Sequence, residues 1–379
     1  MKTFEAISFF TYYFSKLVPK KRNRWVFGAW FGNSVSDNTK AFYDYVAANH
    51  PEIERIWVSS DPSKVFLPGC KVIKRNRLSS LRYILTAKVA VMNQGFGDLA
   101  AFNFLGGTYK VQLWHGVAWK KIGRDAYPKM SEIYEKVFQT INRYDMYIAP
   151  SKTYAEVLKS AFKTDDDHVL LTGQPRNEVL FSGGFLEESR KRIEDAISVK
   201  DKKLIVYMPT FRDKTADVFS FHMLEKEKRF AELARKHNFV IVEKLHYKNN
   251  QKSETKKDEQ IVYGLPDMEA AVLLGAADLL ITDYSSCFFD YLITDRPVIH
   301  FTYDYEYYKK KDRGLYYERE DVMAGALAEN EEELLTAIDD SLTNDQYKTR
   351  RHEMRKRFIT YESNHSCEDI YTYLIKKMT

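Results

Sequence analysis

Cysteine is scarce in this chain: Cys70, Cys287 and Cys367 are the only three in 379 residues. They are odd in number, far apart and form no CxxC pair, which excludes a disulfide framework and leaves reduced thiols in a cytoplasmic setting as the expectation. Long apolar runs are missing too. No stretch reaches the ~18 consecutive apolar residues of a membrane-spanning helix, and the first residues lack a cleavable signal pattern, so the chain is expected to stay in the cytoplasm. HExxH, Walker A and GxGxxG patterns are absent, and no cysteine and histidine cluster has metal spacing. Neither a metal nor another cofactor is therefore expected, and the charge of any bound phosphate falls to side chains and helix ends. There is no recognised nucleic-acid module, and with a net charge of +5 no nucleic-acid partner is expected. Internal repeats and low-complexity tracts are also lacking.

What is present points to a globular α/β protein. The length suits two domains of roughly 150 to 200 residues each. Tyrosine (26) and phenylalanine (24) are abundant, and lysine and arginine cluster at 20–24 and 348–357, a combination suited to anionic lipid or a phosphorylated substrate. Residues 4–18 place Phe4, Ile7, Phe10, Phe14, Leu17 and Val18 at helical spacing ahead of the basic run. Two readings fit them: an amphipathic anchor lying in an anionic membrane surface, or a helix capping the domain with its apolar face on the core.

From Trp25 onward short β-prone runs alternate with helical ones. Strands are expected at 24–31, 55–59, 71–73, 88–92, 110–114, 145–149 and 168–172, then at 203–208, 239–243, 260–263, 278–282 and 297–301. Helices are expected at 38–49 and 152–162, the second with Ser151 as its N-cap. The break at Phe181-Ser182-Gly183-Gly184 and the charged stretch after it set the expected division. Residues 1–20 are read as a membrane-proximal segment, 21–185 as an N-terminal acceptor domain and 186–379 as a C-terminal donor domain with terminal helices. The alternation argues for two Rossmann-like domains with parallel sheets facing each other across a cleft. The polar stretch 249–260 reads as a solvated loop. The tyrosine-rich segment 303–317 reads either as a membrane or acceptor contact or as a domain interface.

Four places put polar residues at the carboxyl ends of strands, where open α/β sheets bind their ligands. Trp114-His115-Gly116 sets an ionisable imidazole beside a glycine that lets a ligand approach the backbone. Gly173-Gln174-Pro175-Arg176-Asn177 offers the planar fork of Arg176 to a phosphate. Pro209-Thr210-Phe211-Arg212-Asp213 and Lys244-Leu245-His246 end neighbouring strands; their cations and imidazole fit a pyrophosphate, and an internal ion pair between Arg212 and Asp213 is the plainer alternative. Thr282-Asp283-Tyr284-Ser285-Ser286 leads into a helix whose N–H groups and hydroxyls can cradle an anion, with Asp290 one turn further on to accept hydrogen bonds from a polyol or ribose. Simple helix capping by the serines is the alternative there.

Taken together, and with Lys120-Lys121-Ile122-Gly123 and Asp125, these motifs resemble the CDP-glycerol glycerophosphotransferase family, which primes or polymerises glycerol-phosphate or ribitol-phosphate chains of teichoic acids and capsules. They occur in the family's order over roughly 110–300. The resemblance implies a GT-B-like fold and metal-independent transfer of a polyol phosphate from CDP-glycerol or CDP-ribitol to a hydroxyl of a lipid-linked or polymeric acceptor, with release of CMP, at the inner face of the membrane. It implies His115 as the general base and His246 as the residue that steadies the pyrophosphate and departing CMP. Gly116, Arg176, Pro209, Thr210, Arg212, Lys244, Thr282, Ser285, Ser286 and Asp290 become the implied donor contacts. Where the family commonly has Thr-Pro-Leu after His-Gly, this chain has Val117-Ala118-Trp119. A GT-B glycosyltransferase using a nucleotide sugar and a non-catalytic membrane-surface scaffold are the competing readings.

Overall fold

A computed structural model of the chain describes residues 3–127, 132–210, 219–245, 260–306 and 314–378. Arg212, His246, residues 249–259 and residues 307–311 of the tyrosine-rich segment lie outside the described residues. The chain divides into two compact units. The first comprises Met1–Val117, Lys121–Glu178 and Thr360–Thr379; the second comprises Ala118–Lys120 and Val179–Ile359.

In the first unit β1 (Lys21–Phe27), β2 (Glu54–Ser59), β3 (Lys71–Lys74), β4 (Ala87–Met92), β5 (Tyr109–Gln112), β6 (Met146–Ala149) and β7 (Val169–Leu171) form a parallel sheet in the order 3-2-1-4-5-6-7. In the second, β8 (Lys203–Tyr207), β9 (Phe239–Glu243), β10 (Val262–Gly264), β11 (Leu279–Thr282), β12 (Val298–Phe301) and β13 (Ala326–Ala328) run parallel in the order 10-9-8-11-12-13. Counted from its own first strand, each sheet follows the Rossmann order 3-2-1-4-5-6. The central strands β4 and β8 are buried on both faces, as in sheets covered by helices on both sides. Val89, Ala90, Val91 and Met92 are all fully buried, as are Leu204, Ile205 and Val206.

The expected strands are all found, with two differences worth a physical reason. The first ends at Phe27 rather than at residue 31. Gly28 lies so close to the loop after β4 that a Cβ there would meet the Asp98 carbonyl oxygen at 2.9 Å, and Trp30, Phe31 and Gly32 then take left-handed φ values of 49, 57 and 80°. No strand continues through such a turn. The second difference is β13, unanticipated because Ala-Leu-Ala carries no β-branched residue; it exists by pairing with β12.

The domain limits also need correction. The chain leaves the first unit at Glu178 rather than at residue 185, and it returns at Thr360. The last helix, Ser366–Met378, does not belong with the second unit, because Cys367, Ile370 and Leu374 are buried in the first unit's core with Trp25, Phe42 and Val46. The helix Lys152–Phe162 begins as expected: the Ser151 side chain accepts from Tyr154 N–H.

The N-terminal helix, Thr3–Ser15, packs against the helix Glu132–Ile141. It docks through its small polar side. Ser8 and Ser15 are fully buried, Thr11 Oγ1 donates to the Asn103 carbonyl at 2.9 Å, and Ser15 Oγ accepts from Gly106 N–H at 2.8 Å. Phe10, Phe14 and Leu17 stay 71%, 60% and 80% exposed. A capping helix with its apolar face on the core is therefore not what forms. Among the described residues no helix is long and apolar enough to cross a membrane.

Truncating Leu374, fully buried in the first unit, to alanine is expected to cost about 2–5 kcal/mol. Denaturant unfolding followed through tryptophan emission should show the loss as a lower midpoint.

Candidate functional site

The first unit's site is built where the strand order reverses, outside the carboxyl ends of β1 and β4, with β5 alongside. After β5 the backbone turns sharply: Trp114 has a left-handed φ of 52°, and Gly116 has φ 130°, which a side chain would strain. Between them His115 is presented half-buried. Its Nδ1 lies 3.1 Å from the Asn93 carbonyl oxygen. A carbonyl only accepts, so in the neutral ring Nδ1 carries the hydrogen and the lone pair sits on Nε2. Burial holds the imidazole below its usual pKa range; Asp37 and the Asn93 carbonyl pull it up, and Arg176 adds to the lowering. The result is a neutral imidazole with one basic nitrogen, the species a proton acceptor needs.

Asn93 is itself held by a knot. The fully buried Asp98 carboxylate accepts from Phe31 N–H (2.7 Å), Asn93 N–H (3.0 Å) and Gln94 N–H (2.8 Å), and the Asn93 side-chain oxygen accepts from Trp30 N–H (3.1 Å). The loops after β1 and β4 thus close on one carboxylate. Burial pushes that carboxyl up to about 6, against the lowering effect of its N–H donors.

Arg176 lies in this same unit, and its observed contacts are with protein. One nitrogen, Nη1, is 2.9 Å from both Asp37 Oδ1 and the His115 carbonyl oxygen. Asn38, fully buried, donates to the Leu113 and Trp114 carbonyls and to Gln174 Oε1, while its own oxygen accepts from Arg176 N–H. Glu362 accepts from Gln174 N–H and the Asn177 amide. The motif Gly173 to Asn177 thus fastens the His115 turn.

In the second unit the loops after β8 and β11 meet at the equivalent point of the sheet. Asp283 Oδ1 accepts from Thr210 N–H (2.8 Å), Thr210 Oγ1 (2.7 Å) and Tyr284 N–H (2.6 Å). Thr282 is fully buried and donates to the Met208 carbonyl at 2.6 Å, so it braces the strand end. Pro209, Thr210, Ser285 and Ser286 are half-buried beside it. Lys244 Nζ donates to the Pro266 carbonyl at 2.8 Å and to the Met268 carbonyl at 2.5 Å, fixing a loop, and burial lowers its pKa. Asp290 is only 4% exposed, which removes it from the accessible edge expected for it. Ala118–Lys120 belongs to this unit as well. Trp119 is buried against Tyr284 and Phe288 and donates from Nε1 to the Tyr317 carbonyl at 2.8 Å.

A sequence profile for CDP-Glycerol:Poly(glycerophosphate) glycerophosphotransferase matches residues 10–376. The chain belongs to this family. It is 29% identical over 338 residues to a teichoic acid poly(glycerol phosphate) polymerase of Bacillus spizizenii, covering 85% of this chain and 84% of that one. It is 27% identical over 377 residues to a teichoic acid glycerol-phosphate transferase of Staphylococcus aureus, covering 95% of each. Relatives named for ribitol phosphate match as well. The chain spans 44% of a longer Bacillus subtilis polymerase. Among solved structures, the wall teichoic acid polymerase TagF, as a histidine-to-asparagine variant soaked with CDPG, superposes with a TM-score of 0.80 at 25% identity, covering 99% of this chain and 93% of that one. The architecture is accordingly the GT-B-like fold of the family.

Within the family frame, the structure adds residues that the motifs did not single out: Asp37, Asn38, Asn93, Asp98 and Glu362. A signal for two of them exists in the sequence, since Asn93-Gln94-Gly95-Phe96-Gly97-Asp98 is a glycine-rich turn directly after a strand, the usual place for a ligand loop.

Asp98 also yields a pH prediction. An acid whose folded pKa is raised binds a proton more readily when folded, so its share of stability falls as pH rises from about 4 to about 6. Asp98→Asn removes this slope and cannot satisfy all three N–H groups. The variant's stability deficit is expected to be larger at pH 4 than at pH 7, by up to about 3 kcal/mol, as read from denaturant unfolding of both proteins across that range.

Proposed function

We propose that the chain transfers glycerol phosphate or ribitol phosphate from a CDP-linked donor to a hydroxyl of a membrane-associated acceptor in teichoic acid or capsule synthesis, with His115 as general base. The observation that carries this is the Nδ1 hydrogen bond to Asn93, which leaves Nε2 free to accept. The acceptor O–H proton passes to Nε2, the oxygen attacks the phosphorus that bears the polyol, and the phosphoanhydride bond breaks so that CMP departs with the electron pair. Ser285 and Ser286, with the Thr210 and Pro209 turn and the brace of Thr282, are the donor side. Arg212 and His246 join them on the motif alone, His246 at the pyrophosphate. Gly116 supplies the φ that turns His115 outward, Arg176 and Lys244 hold loops, and Asp290 supports the helix after the serines from within.

For the acceptor's membrane the supporting observation is the exposed row of Phe10 and Phe14 on a helix already fastened by its other side, continued by Leu17 in the turn after it. Each such side chain is worth about 1.5–3 kcal/mol when taken out of water. The basic run contributes less than its count, because Lys21 and Arg24 both pair with Glu54, and Lys20 donates to the Ser15 and Leu85 carbonyls. Lys16 and Arg22 are exposed cations of this stretch outside those contacts. An anionic inner leaflet then gains about 1 kcal/mol from each.

Incubation with CDP-glycerol, CDP-ribitol and common nucleotide sugars, each with a lipid-linked acceptor, is expected to release CMP from a CDP-polyol; UDP or GDP without CMP would overturn the reading in favour of a glycosyltransferase. His115→Ala is expected to lower CMP release by about 10² or more with donor binding by calorimetry retained. Replacing Phe10, Phe14 and Leu17 together by aspartate should abolish flotation with vesicles of mixed zwitterionic and anionic phospholipid while leaving the unfolding midpoint within a few degrees.

A further inference from the structure

Two tryptophans bracket the His115 imidazole. The Trp114 ring stacks on it with centroids 4.7 Å apart and planes 23° apart, and the Trp30 ring lies at 5.2 Å and 52°. Both separations fall within the ~6 Å over which an indole face attracts a cation. The tryptophans come from different strands, one from the turn after β1 and one from the turn after β5. Each occupies a left-handed backbone conformation, with φ 49° at Trp30 and 52° at Trp114. For a bulky residue that conformation costs about 1–2 kcal/mol, and it persists only where surrounding contacts enforce it.

Those contacts are present. Trp30 N–H is held by the Asn93 side chain and Phe31 N–H by Asp98; Trp114 N–H is held by Gln112 and its carbonyl by Asn38. Trp114 also packs edge-on against Phe162 at 5.4 Å, so part of its role is core packing. Trp30 has no such excuse. It is 36% exposed, on a strained turn, beside an imidazole whose Nδ1 is held by the Asn93 carbonyl.

We propose that Trp30 and Trp114 are positioning residues that clamp the His115 ring and stabilise the imidazolium it becomes on taking the acceptor's proton. This rests on the base role proposed above. Neutral imidazole gains little from an indole face, whereas the cation gains an attraction that appears as the proton arrives, which is the kind of interaction that lowers a barrier. The other groups acting on the ring are few: the Asn93 carbonyl from the loop after β4, Asp37 at the start of the helix Asp37–Asn49, which favours the cation, and Arg176 from the turn after β7, which opposes it. Asp37 is shared with Arg176 at 2.9 Å, so its charge is partly compensated before the proton moves.

The test is a pH titration of the full chain carrying carbon-labelled histidine, followed by NMR, with the His115 resonance assigned by its absence in His115→Ala. In Trp30→Leu the His115 pKa is expected to fall by roughly half a unit, and in Trp30→Phe by less. The acidic limb of turnover against pH, where the base is protonated and turnover is lost, should move to lower pH with it while KM for the CDP-polyol stays put. A protein made with fluorinated tryptophan, nearly unchanged in shape but with a less negative ring face, should show the same fall and does not depend on the substitution being tolerated. An unchanged His115 pKa in the leucine variant or in the fluorinated protein would overturn the clamp, as would equal shifts for leucine and phenylalanine. If the NMR pKa falls while the turnover limb does not, the clamp stands and the base role fails.

Discussion

The amide of Asn38 is fully buried and uses its whole hydrogen-bonding capacity on loops from other strands: the Leu113 and Trp114 carbonyls after β5, and Gln174 and Arg176 N–H after β7. Gln112 holds the Trp114 N–H locally, but the Trp114 carbonyl accepts from Asn38, and His115 follows Trp114 directly. The orientation of the imidazole is therefore not a property of its own loop alone. It depends also on a side chain 77 positions earlier, at the first turn of a helix whose other residues, Phe42 and Val46, are ordinary core. Low dielectric makes such a fully satisfied knot rigid, and makes any half-satisfied version of it costly.

The two units solve the same problem alike. In each, a carboxylate that follows the fourth strand accepts backbone N–H groups from the loop that follows the first: Asp98 takes Phe31, and Asp283 takes Thr210. Adjacent parallel strands whose connections run to opposite faces leave a crevice there, and the loops on its two sides need a bridge. A carboxylate suits this because it accepts several N–H groups at once. In the second unit Glu243 does a related task, accepting from Phe221 N–H and the Ser220 hydroxyl, with Glu225 accepting from Ile261 and Val262 N–H. Arg176 and Lys244 also fasten loops, through Asp37 and the His115 carbonyl and through the Pro266 and Met268 carbonyls.

How much was legible follows from the range of each signal. The β-strands were readable because Val89 to Met92 or Leu279 to Ile281 are apolar without interruption and bounded by turn residues, a purely local pattern. Their parallel arrangement followed from the alternation with helices. The turn at Trp30 was misread as strand because aromatic residues favour strands locally; only the approach of the loop carrying Asp98 forces the left-handed backbone. Trp119 and the last helix were assigned to the wrong neighbours because burial partners distant in sequence leave no periodic trace.

By itself the sequence determined the class of fold, the order of its strands along the chain and the family. These rest on local periodicity and on short motifs in a fixed order. Tertiary structure alone decided which nitrogen of His115 is basic, that two indoles face its ring, that Arg176 is tied to Asp37 and the His115 carbonyl, and that the row from Phe10 to Leu17 faces outward. Each of these depends on a hydrogen bond or a packing contact between segments tens to hundreds of residues apart, and no local pattern carries the geometry of a distant partner.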